Sequence, residues 1–216
     1  LTCQSAPPMC NARRIAINSG VLAGTQLAIR FLSVITGYFF ILWLSRETFN
    51  DYSLVMAHTN IFAAVGDLGC DLAFLRLFSR AVDPDEKGRI LWNALLVKTA
   101  LVALTVGATA LSAFWAGYPS SVLTAVLVFS LSNLPTVYTV FLIPFRAEWR
   151  ASRVMLGIFI LTALGLCAKL ALTWRCPELL WIIGVMVAFE FVKLGWITAY
   201  FFRNAPVRLV RRVDGR

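Results

Sequence analysis

Charged residues are scarce in this sequence. They make up 14% of the 216 residues, whereas a soluble domain of this size carries roughly 25%. The five cysteines include no Cys-x-x-Cys pair, and His58 is the single histidine, which argues against a zinc site. Walker, His-Glu-x-x-His and Gly-x-Ser-x-Gly motifs are also missing. The sequence therefore predicts a protein that is not an enzyme and that uses no metal or cofactor.

Hydrophobic residues are abundant instead, at 59% of the chain, and the mean hydropathy is +0.76. Apolar runs of about 20 residues recur, each long enough to cross a bilayer as a helix. We predict an all-α integral membrane protein with six transmembrane helices at residues 19–44, 53–75, 90–115, 121–145, 154–174 and 178–202. These divide the chain into a polar cytoplasmic leader (1–18), a six-helix transmembrane lobe (19–202) and a basic cytoplasmic tail or interlobe linker (203–216).

The basic residues are distributed unevenly between the two sides of the predicted bundle. Most lysines and arginines lie before span one, between spans two and three, between spans four and five, or after span six. The opposite loops hold only Arg46 and Arg175. The positive-inside rule then places both termini in the cytoplasm. The net charge of +9 is explained by attraction to an anionic lipid surface, and no nucleic-acid partner is predicted.

Ionisable side chains inside the predicted spans are the candidate functional residues, because a charge in hydrocarbon persists where it faces a partner or a water-filled path. On a continuous second span, Asn60, Asp67 and Asp71 would share an arc of roughly 40°. Arg30 on span one lies at a depth similar to that of Asp67, so the two could pair. Lys98 on span three faces the same side of the membrane, which favours a polar cavity open to the cytoplasm over isolated structural pairs.

Two further spans carry polar groups. Span four has Asn133 beside Pro135, where a kink would free backbone carbonyls. Span six carries Glu190 and Lys193 at the i, i+3 spacing of an ion pair, and Lys169 in span five is expected to snorkel to the surface. We therefore predict that the substrate-binding residues are Gln26, Arg30, Lys98 and Asn133. The predicted coupling-ion residues or structural charge pairs are Asp67, Asp71, Glu190 and Lys193.

The first two spans resemble those of polysaccharide (oligosaccharide-lipid) flippases, which are O-antigen translocase-like members of the multidrug/oligosaccharidyl-lipid/polysaccharide exporter superfamily. The similarity covers about residues 16–80. Asn50 stands where glycine is usual in that family. The matching segments are Arg30-Phe31-Leu32-Ser33 with Gly37-Tyr38-Phe39, the loop Leu44–Leu54, Asp67-Leu68-Gly69, and Ala73-Phe74-Leu75-Arg76.

This resemblance implies one six-helix lobe of a two-lobe, alternating-access transporter in the cell inner membrane. The substrate would be a polyprenyl-diphosphate-linked oligosaccharide, moved during polysaccharide biosynthesis. Arg30 and Lys98 would neutralise its diphosphate, and Asp67 or Asp71 would hold a proton or sodium ion. Membrane lipids and a missing C-terminal lobe, or a second subunit, are the implied partners. A cation-coupled multidrug-type efflux transporter and a non-transporting scaffold of a glycan-assembly complex remain as alternatives.

Overall fold

The computed structural model describes residues 8–67, 69–147 and 151–204, without the side chains of residues 8–19, 21, 22, 65–67, 151 and 152. This part of the chain is helical and has no strand. Its elements are α1 (Pro8–Trp43), α2 (Arg46–Asp67), α3 (Cys70–Arg80), α4 (Pro84–Trp115), α5 (Ser120–Ser130), a 3₁₀ segment (Leu131–Tyr138), α6 (Thr139–Ala147), α7 (Ala151–Arg175) and α8 (Leu179–Asn204).

The described helices are those of a multi-pass membrane protein. Five of them are long and apolar enough to cross a bilayer: Ala23–Trp43, Pro84–Trp115, Ser120–Ala147, Arg153–Arg175 and Leu179–Asn204. The predicted all-α membrane fold is thus confirmed, with five candidate spans in place of six. Helix α1 also begins earlier than the predicted span, at Pro8, and so includes much of the stretch predicted as a leader.

The predicted second span, 53–75, is wrong as a single helix. Helix α2 ends at Asp67, and α3 begins at Cys70 as a separate element of 11 residues. Gly69 stands between them with φ 70°, in the left-handed region that glycine enters without a steric penalty. Consequently Asp67 and Asp71 belong to different helices. Asn60 and Asp67 stay on α2, and Asp71 leaves the arc that it was expected to share with them.

Gly69→Ala tests this break between helices. A Cβ at Gly69 would contact nothing within 4 Å, so the expected cost comes from backbone strain alone, about 1–2 kcal/mol. Thermal unfolding in detergent micelles would measure it. Gly107→Ala is the matched control, because that glycine also has open space around it but lies inside α4, where alanine should stabilise by about 0.5–1 kcal/mol. A Gly69→Ala protein as stable as Gly107→Ala would contradict the assigned conformation.

Local sequence signals explain where α4 begins and ends. The Asp83 side chain accepts a hydrogen bond from the Asp85 backbone N–H, and Pro84 opens the helix, where its missing N–H costs nothing. Acidic residues in the first turn also suit the positive end of the helix dipole. After Trp115, Gly117 adopts φ 66° and turns the chain into α5.

The fourth predicted span contains the expected irregularity at Pro135. Because proline lacks an N–H and its ring crowds the preceding turn, the chain leaves α-helical geometry there. It adopts eight residues of 3₁₀ helix between α5 and α6. This segment packs against α4 and α8, so its polar side chains are held inside the bundle.

Two apolar clusters flank a polar zone along the bundle. One cluster includes Leu91 of α4 and Ile197 of α8, and the other includes Ala113 of α4 and Ile183 of α8. Lys98 lies between Leu91 and Ala113 along α4 and is 4% exposed. The apolar clusters therefore hold the helices together on either side of a middle section in which polar side chains are buried.

Candidate functional site

A cavity of about 200 Å³ lies in this middle section. Helices α2, α3, α4 and α6 and the 3₁₀ segment contribute its walls. Most of its lining residues are polar in type, although apolar atoms provide most of the exposed cavity surface. The lining residues are Ala63, Asp71, Lys98, Val102, Thr105, Asn133, Thr136 and Thr139.

An ion pair between Lys98 and Asp71 forms one wall of the cavity. The Lys98 Nζ lies 3.2 Å from the Asp71 Oδ1, and the two side chains are 5% and 20% exposed. Thr139 Oγ1 donates a second hydrogen bond to the same Asp71 oxygen, at 3.3 Å. The carboxylate thus receives a charged and a neutral donor, which offset part of its cost of burial.

Asn133 supplies a hydrogen-bond donor that is not used within the described structure. The residue is 8% exposed, and its Nδ2 is buried with no hydrogen-bond partner among the described residues. A buried unsatisfied amide costs about 1–3 kcal/mol. Because Asn133 lines the cavity, its amide can donate to an acceptor oxygen of a molecule that enters there.

The cavity hydroxyls are largely committed to internal bonds. Thr105 Oγ1 donates to the Leu101 carbonyl and Thr136 Oγ1 donates to the Asn133 carbonyl, at 2.9 and 2.6 Å. Their oxygens still carry lone pairs that can accept. These acceptors suit the hydroxyl groups of a ligand, whereas a phosphoryl oxygen would need a donor, which the Asn133 amide and the Lys98 ammonium can supply. The described residues contain no cluster of three or more metal-ligating side chains.

The predicted substrate-binding residues divide between two places. Lys98 and Asn133 line the same cavity, as expected of residues that act together. Gln26 and Arg30 are exposed on α1, which packs mainly against α7, and they do not line it. The expectation that Arg30 and Lys98 converge on this cavity is therefore wrong. Helix α1 packs mainly against α7, and α7 contributes no residue to the cavity lining.

The predicted acidic residues also differ in their placement. Asp71 is the partner of Lys98, although no family pattern pointed to it. The side chain of Asp67 lies outside the described residues, so its proposed pair with Arg30 does too. Arg30 forms no ion pair with any side chain in the described part of the protein.

The predicted Glu190–Lys193 pair is present. The Lys193 Nζ donates to the Glu190 Oε1 one helical turn away, and Lys193 is 8% exposed. This pair satisfies itself along α8 and does not line the cavity. It resembles the cavity pair in burial and differs from it in position, which makes it a useful comparison for mutagenesis.

Lys169 does not snorkel, contrary to expectation. It is buried, and its Nζ donates to the Tyr52 hydroxyl at 2.8 Å and lies 4.4 Å from the centre of the Phe40 ring. The aromatic faces and the hydroxyl stabilise the ammonium inside the protein. Lys169 thereby joins α1, α2 and α7.

Thr139 is a site residue that was not predicted from the sequence. It lies three residues beyond Thr136, and a spacing of three returns to the same face in 3₁₀ geometry. The spacing of three residues between Thr136 and Thr139 would therefore have indicated a shared face if a 3₁₀ segment around Pro135 had been assumed. Ala63 was missed as well, and an alanine carries no signal that would distinguish a cavity wall from ordinary helix packing.

The chain matches no protein-family model, no curated protein and no solved structure. Its similarity to flippases consequently stays a prediction from the residues themselves. The geometry of the cavity is the independent basis for a proposal.

Proposed function

We propose that this chain is one lobe of a membrane transporter that moves polyprenyl-diphosphate-linked oligosaccharide across the cell inner membrane. The observation that supports it best is the cavity lined by the Lys98–Asp71 ion pair and by Asn133, whose amide is unsatisfied among the described residues. Ionisable groups among membrane helices are retained where they serve a substrate, an ion or a proton. The proposed role is translocation without covalent chemistry.

The cavity dimensions define which part of such a substrate it would receive. At about 30 Å³ per water molecule, 200 Å³ holds roughly six or seven waters. That volume suits a diphosphate or a single sugar ring and is too small for an oligosaccharide. In this proposal the polar head enters the cavity, and the remaining sugars lie between this lobe and a second lobe or subunit.

Charge balance in the cavity suggests how the head group would bind. Lys98 and Asp71 neutralise each other at rest. A phosphoryl oxygen that approaches Lys98 would compete with Asp71, while Asn133 donates to a neighbouring oxygen. Asp71 would keep its bond from Thr139, so the ion pair can open without leaving the carboxylate unbonded.

The side of entry follows from the distribution of basic residues. In this proposal α2 and α3 together make a sixth crossing beside the five candidate spans, and the positive-inside rule then puts the first turns of α4, the start of α1 and the end of α8 on the cytoplasmic side. We propose that the cavity is loaded from the cytoplasm, where lipid-linked sugars would be presented among anionic membrane lipids.

Asn133→Leu tests the function directly. Leucine has a similar size and removes an unsatisfied buried amide, so the folded protein should be as stable as the wild type or more stable, by up to about 1–3 kcal/mol. Surface polysaccharide export in the native host should fall at least tenfold, because the substrate loses its donor. Export would be measured as radiolabelled glycan at the cell surface, normalised to the level of membrane-inserted protein.

The outcomes separate binding from structure and from drug efflux. Normal export by a stable Asn133→Leu protein would overturn the proposed function. Loss of resistance to organic cations, with glycan export intact, would favour multidrug-type efflux. Gly195→Ala is a control on α8, because a Cβ there contacts nothing within 4 Å and its export should match the wild type.

A further inference from the structure

We propose that His58, Ser112 and Tyr118 form a proton-binding site in the half of the bundle that contains the carboxyl end of α4. The only histidine in the chain lies on α2, and it reaches Ser112 of α4 and Tyr118 in the turn before α5. As a coupling site for transport it rests on the proposed function. As a proton-binding site it stands on its own geometry.

Both ring nitrogens of His58 have partners. The Nε2 lies 2.9 Å from the Ser112 Oγ and 3.4 Å from the Thr109 carbonyl oxygen. The Nδ1 lies 3.2 Å from the Tyr118 hydroxyl oxygen. The Phe62 ring packs against the imidazole with its centre 5.4 Å away. The ring is therefore fixed in position by contacts from its own helix, from α4 and from the turn.

The hydrogen bonds assign a role to each partner. Ser112 Oγ donates to the Thr109 carbonyl at 2.9 Å, so its lone pair faces the imidazole and accepts from Nε2–H. In the neutral ring, Nδ1 then accepts from the Tyr118 hydroxyl. When a proton from water adds to Nδ1, the new N–H donates to the Tyr118 oxygen, and the hydroxyl hydrogen rotates away. A phenol can fill either role, so both charge states keep their bonds.

The groups bonded to His58 leave the imidazole as the proton acceptor of this cluster. Tyr118 is the titratable side chain bonded to it, and α4 contributes a hydroxyl and a carbonyl. Within the described part of the protein, no carboxylate or cation pairs with the imidazole. Histidine is the side chain that ordinarily changes charge between pH 5 and 8.

A row of polar residues on α4 connects this site with the cavity. Thr105 lines the cavity, and its carbonyl accepts a hydrogen bond from Thr109 Oγ1 at 2.8 Å. The Thr109 carbonyl accepts in turn from Ser112, which contacts His58. With Lys98, these residues extend over roughly 21 Å of helix at 1.5 Å per residue. The proton site and the Lys98–Asp71 pair thus lie at opposite ends of one row.

Nuclear magnetic resonance of the full chain in nanodiscs tests proton binding, with ¹⁵N-labelled histidine as the probe. Since His58 is the single histidine, every imidazole signal belongs to it. We expect Nε2–H alone at pH 8 and protons on both nitrogens at pH 5. Tyr118→Phe removes the acceptor for the charged form, and charge-assisted bonds are about twice as strong as neutral ones. The ratio of protonated to neutral ring at pH 6 should therefore fall roughly threefold to tenfold.

Two further variants complete this experiment. Ser112→Ala should also reduce the protonated fraction and provides a second measurement if Tyr118→Phe folds poorly. Tyr52→Phe is the matched control, since Tyr52 is hydrogen-bonded to Lys169 and not to histidine, and should leave the ratio unchanged. A wild-type ring that stays neutral at pH 5 would overturn the proposal. Equal ratios of protonated to neutral ring at pH 6 in the wild type, Tyr118→Phe and Ser112→Ala would also overturn the proposal.

Export measured at external pH 5.5 and 8.0 tests the coupling role. We expect wild-type export to change several-fold between the two values and His58→Asn to abolish that dependence. If Asn133→Leu abolishes export while His58→Asn keeps the wild-type pH response, the proposed function stands and the coupling role of His58 is overturned. If neither variant affects export, the proposed function fails, and the resonance experiment still decides proton binding.

Discussion

Lys98→Met is expected to destabilise the protein by about 3 kcal/mol and to abolish export. Removing one partner of a buried ion pair costs roughly 3–5 kcal/mol, because the other charge stays buried without compensation. The lower end applies because the Asp71 side chain keeps 20% exposure and its bond from Thr139. Unfolding in mixed micelles with increasing dodecyl sulfate would measure the loss, alongside glycan export in the host.

The double variant Lys98→Met/Asp71→Asn separates stability from function. With both charges removed, no buried ion is left unpaired, so most of the lost stability should return, while export stays absent because the substrate still lacks its cation. Lys193→Met is the matched comparison, since it breaks a buried pair outside the cavity. It should cost stability and retain export in proportion to folded protein. Restored export in the double variant would show that the Lys98 charge serves only the fold.

Gly157→Ala is expected to cost about 1–3 kcal/mol, the usual penalty for overpacking a tight contact. A Cβ at this position of α7 would clash with the Cη2 and Cζ2 atoms of Trp196 on α8. Trp196 is itself stacked on Tyr200, with ring centres 5.5 Å apart, so the indole cannot withdraw without breaking that contact. Thermal unfolding in detergent would detect the loss.

Graded substitutions distinguish this contact from a general effect of alanine. At Gly165 the nearest atom to a new Cβ is a Phe189 carbon at 3.0 Å, so a smaller loss is expected. Gly184→Ala has open space and should be neutral or slightly stabilising. The pair Gly157→Ala/Trp196→Leu should recover part of the stability lost in Gly157→Ala. Equal stability of Gly157→Ala and Gly184→Ala would contradict the described packing of α7 on α8.

The helical membrane fold was predictable because hydrocarbon leaves the backbone few choices. A long apolar run must satisfy its own N–H and C=O groups, and a helix does so without reference to the rest of the chain. A local irregularity at Pro135 and the Glu190–Lys193 pair were accessible for a similar reason, although a kink was expected at Pro135 and a 3₁₀ segment is found. Each depends on residues within one or two turns.

The arrangement of the site was less accessible, because it depends on contacts between distant segments. Nothing in the periodicity of α1 indicates that it packs on α7, and this contact keeps Arg30 away from Lys98. The break at Gly69 was missed because a glycine within an apolar run fits a continuous helix as well as a left-handed turn. The position of a charged residue along its span therefore did not indicate which charges are buried, as Arg30 and Lys169 show, nor that Lys98 pairs with Asp71.

The 3₁₀ segment gives its span a length and a rotational phase that an ordinary helix would not have. Eight residues rise about 16 Å in 3₁₀ geometry, at 2.0 Å each, against about 12 Å in α geometry. The turn per residue also differs, roughly 120° against 100°, which accumulates to about 160° over the segment. Conversion to α-helix would shorten the span by about 4 Å and swing Thr139 away from Asp71. The longer rise and larger rotation of this one segment are thus what place the Thr139 hydroxyl beside the Asp71 carboxylate.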